Sequence, residues 1–173
     1  MKIVIATFNE GKFEEFKDLF RNSSFEILSL KDFTTEDIDE NGSSYEENAM
    51  LKAKKASELS NHPSLGDDSG LEVKLLNNDP GLFSARYSGK HATDETNIKK
   101  LLKAVKNLEN TKAKFVSTLA FYDPQKNLEL FSFGELEEKS SKKKKVIKDL
   151  VMTQFLKLKI LVKLWQRSHL KRE

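Results

Sequence analysis

The feature that most constrains this chain is the stretch Gly66 to Tyr87, GDDSGLEVKLLNNDPGLFSARY. Two adjacent carboxylates, Asp67 and Asp68, stand before Ser69 and Gly70, and a β-like alternation from Leu71 to Leu76 follows directly. Paired carboxylates at the mouth of a Gly-containing turn are how a chain presents hard oxygen ligands at a strand end, which suggests a magnesium site. The same Asp-Asp-Ser-Gly run is also ordinary turn chemistry, because Asp, Ser and Gly all favour turns. On this stretch alone both readings stand.

The rest of the chain sets the context. A length of 173 residues suits one domain, or one core with a small additional lobe. The absence of cysteine excludes disulfides, thiolate metal sites and cysteine nucleophiles, and fits a reducing compartment. No apolar run approaches the roughly 20 residues of a membrane span, and the start MKIVIATFNE lacks the features of a signal peptide. These readings lead to the expectation of a soluble, cytoplasmic protein. The net charge of +3 conceals an asymmetry: residues 138–173 carry +9, so residues 1–137 carry −6. A basic tail on an acidic body is one signature of nucleic-acid binding.

In chain order, the β-branched run Lys2 to Ala6 is followed by Phe13, Phe16, Leu19 and Phe20 at helical spacing. A strand that feeds a Gly-bearing turn into a helix directs unpaired N–H groups and the positive dipole end at one spot. Thr7, Asn9 and Lys12 flank that spot, which favours an anion, although the Walker spacing is absent and an ordinary β-to-α turn has the same form. Phe25 to Leu30 reads as a second strand and Lys31 to Gly42 as a polar connection. Ser44 to Glu47 has the capping-box form and opens a helix carrying Asn48 and Lys52 on one face. A segment ending at Asp68, the alternating run behind it, and a turn at Asn77 to Gly81 come next. Leu82 to Tyr87 forms a short element bearing Arg86. Thr93 to Glu109 reads as an amphipathic helix with Ile98, Leu101, Leu102, Val105 and Leu108 as its buried stripe. Lys114 to Tyr122 and Leu128 to Phe133 read as a hairpin.

Four motifs thus stand in one order: ATFNEGK at Ala6 to Lys12, YEENAMLKA at Tyr45 to Ala53, DDSGLEV at Asp67 to Val73, and PGLFSARYSG at Pro80 to Gly89. Together they resemble the inosine/xanthosine triphosphate pyrophosphatases, which hydrolyse non-standard purine nucleoside triphosphates such as ITP, dITP and XTP to monophosphate and pyrophosphate. The resemblance covers residues 1 to about 137. It implies an α/β fold, elongated and two-lobed, with a long mixed β-sheet flanked by helices, and a homodimer. It places Thr7, Asn9 and Lys12 on the triphosphate, Glu47 and Asp68 at Mg2+, and Asp68 as general base. Lys52 and Arg86 follow as further phosphate contacts, and Ser69 either binds substrate or satisfies its turn. For Glu47 a purely structural role, closing the helix cap, is equally in keeping with its position.

The C-terminal segment departs from the resemblance. Members of that family continue with a Gly-Phe-Gly-Tyr-Asp-Pro segment and later Ser-His-Arg, which grip the purine, whereas residues 138–173 contain no glycine. Back-translation displaced by one base allows Asp149 to Phe155 to encode Gly-Phe-Gly-Tyr-Asp-Pro-Ile, and Leu164 to His169 to encode Thr-Leu-Ala-Glu-Val-Thr. The expectation is therefore an incomplete pyrophosphatase domain over 1–137 and an out-of-frame tail over 138–173, with weak or absent activity and lost base selectivity. On that reading the lysine-rich composition says nothing about partners and no nucleic acid is expected. The alternative is a nucleic-acid-binding protein that uses the tail, which predicts salt-dependent binding abolished by truncation at Glu137.

Overall fold

The computed structural model describes residues 1–106 and 112–139. Expectations for Leu108 and for the tail beyond residue 139 lie outside these residues. The first strand, β1 (Lys2–Ile5), explains its own composition. Ile3 and Ile5 join one apolar cluster with Phe16 and Phe20, while Val4 and Ala6 join another with Leu30 and Ala56. Side chains alternate across a strand, so an uninterrupted apolar run means that both faces of the sheet are covered, as in parallel α/β sheets. Helix α1 (Glu10–Phe20) supplies the first cover. Burying Phe16 and Phe20, at 0% and 2% exposure, contributes about 1.5–3 kcal/mol each.

β1 pairs in parallel with β2 (Glu26–Ser29), in the register Lys2 opposite Glu26. On its other side it pairs in parallel with β3 (Ser64–Val73), Val4 opposite Ser64 and Ile5 opposite Leu65. Parallel neighbours need crossovers, and α1 and α2 (Tyr45–Ser60) provide them. The sheet is completed by β4 (Lys112–Asp123) and β5 (Leu128–Lys139) in the order β2-β1-β3-β4-β5. The short turn over residues 124–127 makes β4 and β5 an antiparallel hairpin, so the fold is α/β with a mixed sheet, as expected.

Helix α2 begins and ends as its sequence dictates. The Ser44 side chain accepts from the Glu47 N–H at 3.1 Å. At the other end Asn61 takes the left-handed conformation, φ 56°, and donates its N–H to the Ser57 carbonyl, a position where Asn is tolerated better than most residues. The buried face of α2 is small, with Ala49, Ala53 and Ala56 all at 0% exposure. Small residues let the helix axis approach β3 closely. A Cβ on Gly66 would lie 2.1 Å from the Ala49 carbonyl oxygen and 2.8 Å from the Ala53 nitrogen, so this strand position admits only glycine.

That close approach corrects the reading of Asp67 and Asp68 as turn residues. Both lie inside β3, because pairing with β1 at Ser64 and Leu65 and the helix over Gly66 hold the chain extended. Leu82 to Tyr87 is a 3-10 turn, Gly81–Arg86. The Thr93 helix is α3 (Asp94–Ala104), capped by Thr93.

The described residues fall into two compact units, Met1–Asp68 with Thr118–Phe133, and Ser69–Ser117 with residues 134–139. The first unit holds the clusters already named and a third, in which Ala49, Met50 and Ala53 pack on Ala120. In the second, Leu71 and Val73 of β3 pack with Leu101 and Val105 of the α3 segment and with Ala113 and Phe115 of β4. No helix among the described residues is long and apolar enough to cross a membrane.

Candidate active site

The polar residues of the first unit collect where β1 ends, α1 begins and β3 carries its carboxylates. Thr7, 8% exposed, uses Oγ1 to accept the Asn9 N–H at 3.2 Å. Asn9 caps α1, its Oδ1 accepting the Lys12 N–H at 3.1 Å. Both side chains therefore fix the turn leading into α1 and the direction of the helix N-terminus. One turn into that helix, Lys12 extends its Nζ to Asp67 Oδ2 at 2.6 Å. The Lys12 side chain is 25% exposed and that of Asp67 only 2%.

A second lysine reaches the same ground from α2. Lys52 is nearly buried and pairs with Glu40 Oε1 at 2.8 Å. Burial lowers its basicity, but the surrounding carboxylates, Asp67 first and then Glu40 and Asp68, outweigh burial and raise its pKa above the usual lysine value. Asp67 shows the complementary balance. Burial pushes its pKa up, yet Lys12 and Lys52 hold it below the ordinary carboxylate range. Asp68, 6% exposed, accepts from Asn48 Nδ2 at 2.9 Å. Two ammonium groups and three carboxylates are thus drawn together from four segments of chain.

Not every expected residue joins them. The Glu47 carboxylate is turned to the helix cap, where Oε2 accepts from the Ser43 N–H at 2.6 Å and the Ser43 hydroxyl at 2.8 Å. These bonds, backbone first, hold its pKa below the usual value. The capping box is displaced by one residue, closing on Ser43 rather than Ser44, and the polar end of Glu47 is engaged there. Ser69 follows Asp68 in β3 but belongs to the second unit. Arg86 lies in that unit as well, its guanidinium over the Phe83 ring at 5.2 Å. The structure brings Lys12, Lys52 and Asp68 together with Asp67, the other member of the carboxylate pair, and with Glu40, which the sequence did not single out. Glu40 gave no periodic or motif signal in the Lys31 to Gly42 connection; only the closure of that loop onto Lys52 reveals it.

A divalent cation finds a partial set of ligands here. Among the described residues no group of three or more Asp, Glu or His side chains is disposed as a self-sufficient metal site. Mg2+ characteristically uses one or two carboxylates and completes its shell with water and substrate phosphates. Glu40, paired with Lys52, and Asp68, whose charge also acts on Lys52, are donors of that kind.

The sequence model of the Ham1 family matches residues 3–145. The chain belongs to the Ham1 family. It is 39% identical over 131 residues to a dITP/XTP pyrophosphatase of Staphylococcus aureus, 75% of this chain and 66% of that protein. It is 45% identical over 122 residues to the dITP/XTP pyrophosphatase of Haemophilus influenzae, 69% of this chain and 63% of that one. The matches thus span slightly less than two thirds of these curated relatives. A HAM1 protein from Coxiella burnetii superposes with a TM-score of 0.74 at 35% identity, covering 80% of this chain and 72% of its own. The Ham1 protein of S. aureus gives 0.71 at 36% identity, covering 80% and 71%. The pyrophosphatase resemblance read from the four motifs is therefore confirmed at the level of the family, and the α/β fold with it.

Proposed function

We propose that this Ham1-family chain hydrolyses non-standard purine nucleoside triphosphates, dITP, ITP or XTP, to the monophosphate and pyrophosphate. The observation that carries the reading is the buried meeting of Lys12, Lys52, Asp67 and Asp68 beside the α1 N-terminus. Relatives named dITP/XTP pyrophosphatases at 39–45% identity support it. A triphosphate needs cations and N–H donors for its charge, and attack at phosphorus is chiefly positioning and charge neutralisation. The turn held by Thr7 and Asn9 presents the donors, and Lys12 and Lys52 supply the cations. Asp68 accepts a proton from the attacking water as its oxygen bonds to the α-phosphorus. The bond from that phosphorus to the α,β-bridging oxygen breaks, and pyrophosphate departs with the electron pair. Mg2+, when bound by Asp68 and Glu40, supplies additional neutralisation of phosphate charge. Ser69 and Arg86 serve as further substrate contacts, and Glu47 serves the helix cap rather than the cation.

The working form in this reading is a cytoplasmic homodimer. The 138–173 tail is the out-of-frame reading of the purine-gripping segment, so binding energy from the base no longer helps to position the α-phosphorus, and turnover is weak and unselective among bases. Pyrophosphate release from ITP, XTP, dITP, ATP and GTP tests the activity. Release of pyrophosphate with monophosphate supports it, whereas phosphate release alone, or none from any substrate, refutes it. Sequencing the coding DNA across the Glu137–Glu138 junction tests the tail, since a displaced frame that does not encode Gly-Phe-Gly-Tyr-Asp-Pro sinks that part.

A further inference from the structure

Asn48 stands out among the buried polar groups of α2. It is 1% exposed, buried in α2 with Ala49, Met50, Ala53, Ala56 and Ser57, and sequence reading gave it no role beyond sharing a face with Lys52. Its amide makes two bonds in opposite directions. Oδ1 accepts the Gly42 N–H at 2.8 Å, and Nδ2 donates to Asp68 Oδ2 at 2.9 Å. A backbone N–H can only donate and an ionised carboxylate only accept, so the two partners fix the orientation of the amide. The loop is built to reach it. A Cβ on Gly42 would lie 2.7 Å from Asn48 Oδ1 and 2.8 Å from the Glu47 Cβ, so only glycine brings the loop backbone this close. Two residues upstream, Glu40 pairs with Lys52, one helical turn beyond Asn48.

We infer that Asn48 is a positioning residue: its single amide sets the direction of the Asp68 carboxylate and ties it to the loop that carries Glu40. The inference rests on the proposed hydrolysis for its catalytic consequence, while the clamp itself does not. Asn48 has no contact with the reacting atoms in this account and acts only through Asp68 and Gly42. An asparagine is required because one end must donate and the other accept; aspartate keeps the second bond and converts the first into repulsion, and alanine removes both.

The test uses the full chain and separates the two bonds. Amide hydrogen exchange at Gly42 is expected to quicken at least tenfold in Asn48→Ala and to stay within threefold of the original in Asn48→Asp. For nucleoside triphosphate hydrolysis, kcat is expected to fall at least 30-fold in both variants with KM changed less than threefold, because binding groups remain and the carboxylate is misdirected. A general structural defect would move KM and leave the two variants alike at Gly42. Urea unfolding of Asn48→Asp, Asp68→Asn and the double swap adds a readout independent of turnover. The swap restores one donor facing one acceptor, so the coupling is expected to favour it by at least fivefold in the unfolding constant. Unchanged Gly42 exchange in Asn48→Ala, a raised KM with kcat retained, or no coupling in the cycle overturns the inference. If the original chain releases no pyrophosphate, the proposed function fails, and the exchange and unfolding results alone decide the clamp.

Discussion

Removing Lys12 is predicted to cost more stability than removing the charge of its partner. Among the charges described, Lys12 and Lys52 meet Glu40, Asp67 and Asp68. Lys12→Met leaves three carboxylates against one ammonium group; Asp67→Asn leaves two against two and preserves an oxygen that accepts from Lys12 Nζ. Exposure acts in the same direction, since an unpaired Lys12, 25% exposed, reaches water and an unpaired Asp67 side chain, 2% exposed, does not. Breaking a buried pair so that a charge is stranded costs roughly 3–5 kcal/mol, which is the expectation for Lys12→Met. Asp67→Asn loses the charge-assisted part of the Lys12 hydrogen bond and the attraction of Asp67 for Lys52, about 1–3 kcal/mol. Urea unfolding at pH 7 with linear extrapolation reads both values. An Asp67→Asn cost equal to or above that of Lys12→Met would refute the charge accounting, as would two costs below about 1 kcal/mol.

Further outcomes follow from other contacts. Acid should act through Asp67: its folded pKa lies below the usual value, so the stability it contributes is complete above about pH 4 and is lost as pH falls through the folded value. The stability gap between the original chain and Asp67→Asn should therefore narrow in denaturant titrations below pH 4, and a widening gap contradicts the sign. Gly66→Ala forces a Cβ to within 2.1 Å of the Ala49 carbonyl, and thermal unfolding should show a loss of at least about 1–3 kcal/mol. Glu40→Gln should lower nucleoside triphosphate hydrolysis at least tenfold, whereas Glu47→Gln, altering an exposed cap, should change it less than threefold; the reverse order in steady-state assays would restore Glu47 to the site. Ser44→Ala should cost about 1 kcal/mol in chemical denaturation by removing the α2 cap.

The parts of this molecule that were legible in its sequence are those specified locally. The β-branched run of β1, the phenylalanines of α1 at helical spacing, the Ser44 and Thr93 caps and the β4–β5 hairpin each carry their instruction within a few residues. The carboxylate pair was legible as chemistry but not as geometry. Nothing within Asp67 to Gly70 states that Ser64 and Leu65 will pair with β1 or that α2 will lie on Gly66, and those distant contacts turn a candidate turn into strand. Glu47 and Glu40 differ in what the local sequence says of them. Glu47 matched a local pattern that a neighbouring serine competes for, and Ser43 holds its carboxylate at 2.6 Å. Glu40 has no local pattern, and its place is set by a loop closure through Gly42 and Asn48.

The ion pairs of the cluster bear on how the proposed phosphate site is held together. Lys12 and Lys52 are the groups proposed to meet phosphate, and each already holds a carboxylate, at 2.6 Å and 2.8 Å. Left alone in its nearly buried position, Lys52 would lose much of its charged stability to desolvation; the surrounding carboxylates outweigh that loss and raise its pKa. On the proposed function, an incoming phosphate oxygen would exchange partners with Asp67 or Glu40 rather than order a free lysine, so the entropy of fixing two long side chains would be met during folding. The displaced carboxylates then require a cation in place of the lysines. On the proposed function, metal and phosphate would thus favour each other's binding through these ion pairs, with Asp67 and Glu40 as the carboxylates that exchange partners.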